Sequence, residues 1–217
     1  KSNDLFDDVN KIKTQNTEGI ILEIKTFNEI PVWLSRIINK NSLERITHSK
    51  YAQGSINLNI IGTANMVRVC SKLKIKLIYF STSYVYPGTK GNYKEKDPLL
   101  PVNNYAWSKL GGESAVQMYK NSLILRICMT ERPFVHKSAF SDVLTNFIYH
   151  EDLVKVFLKL INKKGIINVG GSTQTVYNFV KKENHKIKKI QAKKIRGLNF
   201  PLNSSMNLKK LRNSIKK

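Results

Sequence analysis

Leu77-Ile78-Tyr79-Phe80-Ser81-Thr82-Ser83 and, further along, Tyr105-Ala106-Trp107-Ser108-Lys109 are the two stretches that decide how this chain folds. The first is a continuously apolar run that ends in hydroxyls. It predicts a central parallel strand over 74–80 with polar side chains at its tip. The second puts a tyrosine and a lysine four residues apart, on one face of a helix expected over 105–119. Together they make a proton-transfer constellation. The tyrosine can exchange a proton with a substrate carbonyl or alcohol, the lysine lowers the phenol's pKa by its charge, and a strand-tip hydroxyl polarises the same oxygen.

Spacing alone is weak evidence, because Tyr-x-x-x-Lys occurs three times in so lysine-rich a chain. Tyr86 and Lys90 are separated by Pro87-Gly88, which forbids a shared helix face. Tyr177 and Lys181 fall on an expected helix, but no hydroxyl-tipped strand precedes them. Only Tyr105 and Lys109 have the full context.

Outward from this core, apolar spacing predicts an amphipathic helix over 55–72 and a loop over 84–104, marked by Pro87-Gly88, Gly91, Pro98 and Pro101. A strand is expected over 123–127, a helix over 151–161, a strand over 166–169 and a helix over 175–182. Earlier, Gly19-Ile-Ile-Leu-Glu-Ile-Lys25 reads as a strand and 32–38 as a helix, after a polar segment over 1–18. Strands alternate with helices, so the fold class is α/β with a mainly parallel sheet.

The totals set limits. At 217 residues the chain can bury one core, or one core plus a small lobe, and its 41% apolar content suits a globular protein. No apolar run reaches the roughly 18–20 residues of a membrane span. The N-terminus is polar and does not read as a signal peptide. It lacks an initiator methionine, as expected of a fragment or trimmed product. Cys70 and Cys128 are too few for a disulfide framework and read as buried thiols in a reducing cytoplasm. His48, His136, His150 and His185 are scattered, so no metal site is expected. The net charge of +22 would suit a polyanion. However, the basic residues are widely spread and the densest stretch, 181–217, contains only Phe200 for stacking, which argues against nucleic acid. A positive surface also attracts a nucleotide-sugar diphosphate and a dinucleotide.

Four segments carry a resemblance. They are Asn59-Ile-Ile-Gly62-Thr63-Ala-Asn65; Leu77 through Ser81-Thr82-Ser83-Tyr84-Val85-Tyr86-Pro87-Gly88; Glu95-Lys-Asp97 with Pro101-Val-Asn-Asn-Tyr105-Ala-Trp-Ser-Lys109-Leu-Gly-Gly-Glu113; and Pro201-Leu-Asn203-Ser204-Ser205-Met-Asn-Leu-Lys209. In this order they resemble the extended short-chain dehydrogenase/reductase superfamily, and within it the dTDP-4-dehydrorhamnose reductase branch of sugar-nucleotide reductases. The resemblance implies a Rossmann-like, doubly wound sheet over 19–165, incomplete at its N-terminal side, and a small C-terminal substrate-side segment over 166–217. It implies NAD(P)H-dependent reduction of a 4-keto-deoxysugar nucleotide for cell-surface polysaccharide synthesis, by a cytoplasmic enzyme with NADP or NAD as cofactor.

It also implies roles. Thr82, Tyr105 and Lys109 would be catalytic. Asn59, Ser81, Tyr105 and Lys109 would meet the cofactor, and Thr82, Ser83 and Arg126 the substrate. Arg126 could equally pair with an acid. Gly111-Gly112 within a helix suggests close packing, as against a second subunit of a homodimer.

One departure stands out. Family members open with a strand and Gly-x-x-Gly-x-x-Gly, which brings backbone amides to the cofactor pyrophosphate. Before Gly54 this chain has only Gly19, and a polar Ser42-Leu-Glu-Arg-Ile-Thr-His48 stands where an apolar strand is expected. Three further readings therefore stay open: an NAD-dependent epimerase, a catalytically silent homologue acting as a binding protein, and a nucleic-acid-binding domain. The run Thr82-Ser83-Tyr84 lacks the acid that a dehydratase would want.

Overall fold

A computed structural model describes residues 52–195 and 200–216. The strand expected at 19–25, the helix at 32–38 and the polar segment before them lie outside the described residues.

The chain enters through α1 (Ala52–Ser55), a segment of wider π turns (Ile56–Gly62) and α2 (Thr63–Leu73). A single regular helix was the expectation here. The wider turns fall where Asn59 and Ile60 meet Gly111-Gly112 on a later helix. There follow β1 (Leu77–Thr82), a short 3-10 turn (Ser83–Val85), a long loop, α3 (Asn104–Gln117) and β2 (Ser122–Ile127). Next come the two-residue strand β3 (Met129–Thr130), β4 (Ser138–Phe140), β5 (Leu144–Thr145), β6 (Ile148–Tyr149) and α4 (His150–Leu158). The rest is β7 (Gly165–Val169), β8 (Gln174–Thr175), α5 (Val176–Lys181), β9 (Lys188–Ile190), a 3-10 turn at Ala192–Lys194 and α6 (Lys209–Ile215).

The main sheet is parallel in the order β1-β2-β7. β2 is its central strand, and every residue of it is buried. Side-chain alternation splits the sheet into two faces. Ile78, Leu123, Leu125, Ile127, Ile167 and Val169 join Leu153 and Phe157 of α4 and Leu211 of α6 in the larger core. Tyr79 and Ile124 pack with Val116 of α3. Helices on both faces are the doubly wound arrangement that a parallel sheet needs to hide its apolar sides.

One polar row crosses the sheet. Ser81, Arg126 and Asn168 are in register on adjacent strands and all are buried. Arg126 is 1% exposed and Glu113, from α3, is fully buried. They form an ion pair through Nη2 and Oε1, with Nε at 3.1 and 3.2 Å from the two carboxylate oxygens. Arg126 Nη1 donates to Tyr86 Oη at 2.8 Å and to the Glu95 carbonyl at 2.9 Å, which draws the loop after β1 onto the sheet.

A smaller core gathers Ala139, Val143, Val176, Val180, Ile187 and Ala192 around the β4–β9 pair and α5. Core membership does not follow a cut at 165/166. Ala139 and Val143 belong to the small lobe, whereas β7 and the residues of α6 belong to the large one. The sequence pattern misses this because two-residue strands and a six-residue helix carry too little periodicity to assign. The tail at 201–208 straps the loop. Asn203 N donates to the Gly88 carbonyl, Asn92 N donates to Ser205 Oγ, and Tyr93 bridges to Met206. Gly88 has φ +72°, and a Cβ there would run into Pro201.

Removing one partner of the pair strands a buried charge. Arg126→Met alone should lower stability by about 3–5 kcal/mol in urea unfolding. A midpoint equal to that of the unsubstituted chain would contradict the burial described.

Candidate active site

α3, which carries Tyr105 and Lys109, packs against β1, which ends at Thr82. Asn103 starts α3. Its backbone is extended, and its side-chain oxygen accepts from Ala106 N at 2.8 Å, so the helix begins one residue before Tyr105. Tyr105 and Lys109 are both half-buried, one turn apart on the same face. The shared face is set from below. Tyr79 Oη donates to the Lys109 carbonyl at 3.0 Å, and Lys109 Nζ stands 4.2 Å from the centre of the Tyr79 ring, a cation–π contact. The other two Tyr-x-x-x-Lys pairs have different environments. Tyr86 is fully buried and stacked on Tyr93 with centroids 4.9 Å apart, while Lys181 of α5 lies 5.4 Å from the Tyr177 ring, in the small lobe.

The three hydroxyls at the strand tip are sorted by their partners. Ser81 Oγ donates to Glu113 Oε2 at 2.8 Å, so its side chain turns to the interior of the sheet–helix interface instead of a cofactor. Thr82 Oγ1 accepts from Tyr84 N at 3.2 Å and caps the turn that follows. One of its two lone pairs is used there, and its proton can be given to an oxygen held at the strand tip. Ser83 is 2% exposed and reaches the Cys128 thiol, whose pKa is raised by burial against the lowering effect of Thr145, Asn146 and Ser83. Of the three, Thr82 is the one whose donor capacity suits a substrate carbonyl.

Asn59 acts as a brace through its side chain. Its Nδ2 donates to Ser108 Oγ at 2.9 Å, and Ser108 Oγ in turn donates to the Tyr105 carbonyl at 2.8 Å. Arg126, expected at the substrate, pairs with Glu113, so of the two readings open for it the acid partner is the one observed. Gly111-Gly112 is also explained within the chain. A Cβ on Gly112 would strike the Asn59 carbonyl and the Tyr79 hydroxyl, and one on Gly111 would press on the Ile60 side chain. The close packing expected against another subunit is thus already made against the π-turn segment.

Sequence reasoning passed over Tyr79, Tyr84 and Ser108. Burial pushes the Tyr79 and Tyr84 phenols up, and the nearby Tyr105 phenol adds to both shifts. Both therefore stay protonated and neutral beside Tyr105. An apolar strand carrying a single tyrosine whose neighbours are Ile78 and Phe80 was the available signal for Tyr79.

A nicotinamide ribose fits this arrangement in part. Thr82 ends β1, and Tyr105 and Lys109 lie on α3, which packs on that strand; their hydroxyl and cationic groups are the chemistry that its hydroxyls and a substrate oxygen require. No helix among the described residues is long and apolar enough to cross a membrane.

Comparison with known proteins adds a family. The model described as RmlD substrate binding domain matches residues 48–169, and a VTC domain model matches residues 3–59. The chain is 37% identical over 71 residues to methionine adenosyltransferase 2 subunit beta of Xenopus laevis, a match covering 32% of this chain and 21% of that protein. Among solved structures, a hypothetical dTDP-4-dehydrorhamnose reductase from Sulfolobus tokodaii has a TM-score of 0.63 at 27% identity, covering 71% of this chain and 64% of that one. A dTDP-4-dehydrorhamnose reductase from Bacillus anthracis, solved in complex with NADP, has a TM-score of 0.64 at 22% identity, covering 77% and 69%. The chain thus aligns with about a fifth of the length of its curated relative and about two thirds of the solved chains.

Two outcomes check this geometry. Asn103→Ala should cost about 1 kcal/mol through loss of the helix cap, read by thermal unfolding, and an unchanged melting point would contradict the cap. Burial pushes the Cys70 thiol up to about 11 and the Cys128 thiol upward too. At pH 8 the native protein should leave both unreactive toward a disulfide reagent, and denaturant should expose both. Rapid reaction of either in the native state would contradict their burial.

Proposed function

We propose that this chain, which belongs to the RmlD substrate binding domain family, carries the catalytic half of a sugar-nucleotide reductase. What supports it best is that α3, which carries Tyr105 and Lys109, packs against β1, the strand that ends in the Thr82 hydroxyl. The substrate class is a 4-keto-deoxysugar nucleotide, as the names of the solved neighbours suggest.

The residues divide the work. Thr82 Oγ1 donates to the keto oxygen and polarises it. Tyr105 gives its phenolic proton to that oxygen as negative charge develops there. Lys109 holds the ribose hydroxyls of the cofactor and stabilises the phenolate that Tyr105 becomes. A nicotinamide cofactor, NADPH or NADH, supplies the hydride to the keto carbon. The surplus of 37 Lys and Arg over 15 Asp and Glu favours capture of the diphosphate. Polysaccharide precursor synthesis in the cytoplasm is the proposed setting, in line with two free buried thiols.

A second reading has its own support. The likeness to the beta subunit of a methionine adenosyltransferase, together with the absence of a glycine run before Gly54, favours a non-catalytic homologue that binds a partner through the same fold. An epimerase with tightly bound NAD is the enzymatic alternative.

Turnover separates these. With NADPH and a dTDP-4-keto-6-deoxysugar, consumption of the nicotinamide should be stoichiometric with alcohol formed. Tyr105→Phe should slow it about 10²–10⁴-fold while leaving substrate affinity nearly unchanged. No turnover by a folded sample would overturn the reductase reading in favour of the binding protein, and interconversion without net NADPH use would favour the epimerase.

A further inference from the structure

We infer that Glu113 and Arg126 are a positioning pair for the proposed site: they set where Tyr105 and Lys109 stand relative to Thr82, beyond their part in holding the fold. This rests on the reductase reading above. Tyr105, Lys109 and Glu113 recur every four residues, so they lie on one stripe of α3. Any rotation of the helix about its axis moves all three together. The lower end of the stripe is gripped from two strands. The Glu113 carboxylate accepts from Ser81 Oγ at 2.8 Å on β1 and from Nε and Nη2 of Arg126 on β2. Ser81 is the immediate neighbour of Thr82. One carboxylate therefore couples the rotation of α3 to the strand residue beside the polarising hydroxyl. A forked guanidinium–carboxylate contact constrains direction as well as distance.

The other arm of Arg126 reaches the loop between β1 and α3. Nη1 donates to Tyr86 Oη at 2.8 Å and to the Glu95 carbonyl at 2.9 Å. Tyr86 Oη lies 2.9 Å from Asn168 Oδ1 and 3.1 Å from the Lys94 carbonyl, and Glu95 Oε1 accepts from Asn168 N at 3.1 Å. The loop that leads into the Asn103 cap is thereby tied to β2 and β7. Stability alone does not call for this arrangement, since well-packed apolar residues of similar volume commonly replace a buried ion pair without loss. What they cannot supply is the direction of the contact. A displacement of about 1 Å at a reacting group can cost about 100-fold in rate.

The test compares the chain with the double variant Glu113→Leu/Arg126→Met. Three quantities are measured: urea unfolding, kcat and KM with NADPH, and the fluorine resonance of Tyr105 in protein labelled with 3-fluorotyrosine, identified by its loss in Tyr105→Phe. The double variant should still unfold cooperatively, with a midpoint lowered only by the Ser81 hydroxyl and Glu95 carbonyl that lose their partners. Its kcat should fall about 100-fold with little change in KM, and the Tyr105 resonance should move or split. Retained kcat and an unmoved resonance in a folded double variant would overturn the proposal and leave the pair a structural element only. Should the double variant fail to fold, Arg126→Lys keeps the charge and removes the fork. The same shift and loss are expected there, and their absence overturns the proposal equally. If the unsubstituted chain itself shows no turnover, the reductase reading fails, and the fluorine resonance still decides the positioning claim because it needs no substrate.

Discussion

A single buried ion pair governs this structure. Arg126 sits in the central strand of a parallel sheet, where apolar residues are the rule, and its charge is acceptable only because Glu113 faces it. The neighbours then have little freedom. Ser81 and Asn168 must be polar where they flank Arg126 in register, and Tyr86 and Glu95 must arrive from the loop to complete its donors. Among the described residues no buried side-chain nitrogen or oxygen is left without a hydrogen-bond partner. A fully satisfied buried network of this kind specifies one arrangement of its members.

The geometry of the candidate site is built outward from that centre. α3 is fixed at its start by Asn103, at its middle by Tyr79 and Asn59 and at its lower end by Ser81 and Arg126, which hold Glu113. Gly112 has no Cβ because the Asn59 carbonyl and the Tyr79 hydroxyl occupy that space, which lets the π-turn segment approach closely enough for Asn59 to reach Ser108. The tail at 201–208 closes the opposite side by strapping the loop.

Much of this was legible in the sequence where the signal is local. The apolar run at 77–80 and the Tyr105–Lys109 spacing located β1 and α3 to within about three residues, as expected for strongly patterned elements. Thr82, Tyr105 and Lys109 were singled out as candidates by spacing and flanks. What could not be read was which hydroxyl turns inward and which stays at the strand tip, because Ser81, Thr82 and Ser83 differ only in their long-range partners. Spacing could not choose between the two readings of Arg126 for the same reason, since the acid that pairs with it lies on another element. The residues that make up the smaller core were not legible because β4 and β9 are three residues each and pair across a long separation. The missing glycine run has a parallel in the family matches. Residues 3–59 match a VTC domain model, and the RmlD match begins only at residue 48.

The central claim is that the Thr82–Tyr105–Lys109 tip receives a nicotinamide cofactor. Its most direct measurement is a titration of the purified chain with NADPH and NADH, following nicotinamide fluorescence at about 0.15 M salt to screen non-specific attraction to a strongly basic surface. The account predicts saturable binding that weakens when Lys109 becomes Ala. A folded chain that shows no saturable binding, or binding indifferent to Lys109→Ala, would contradict it.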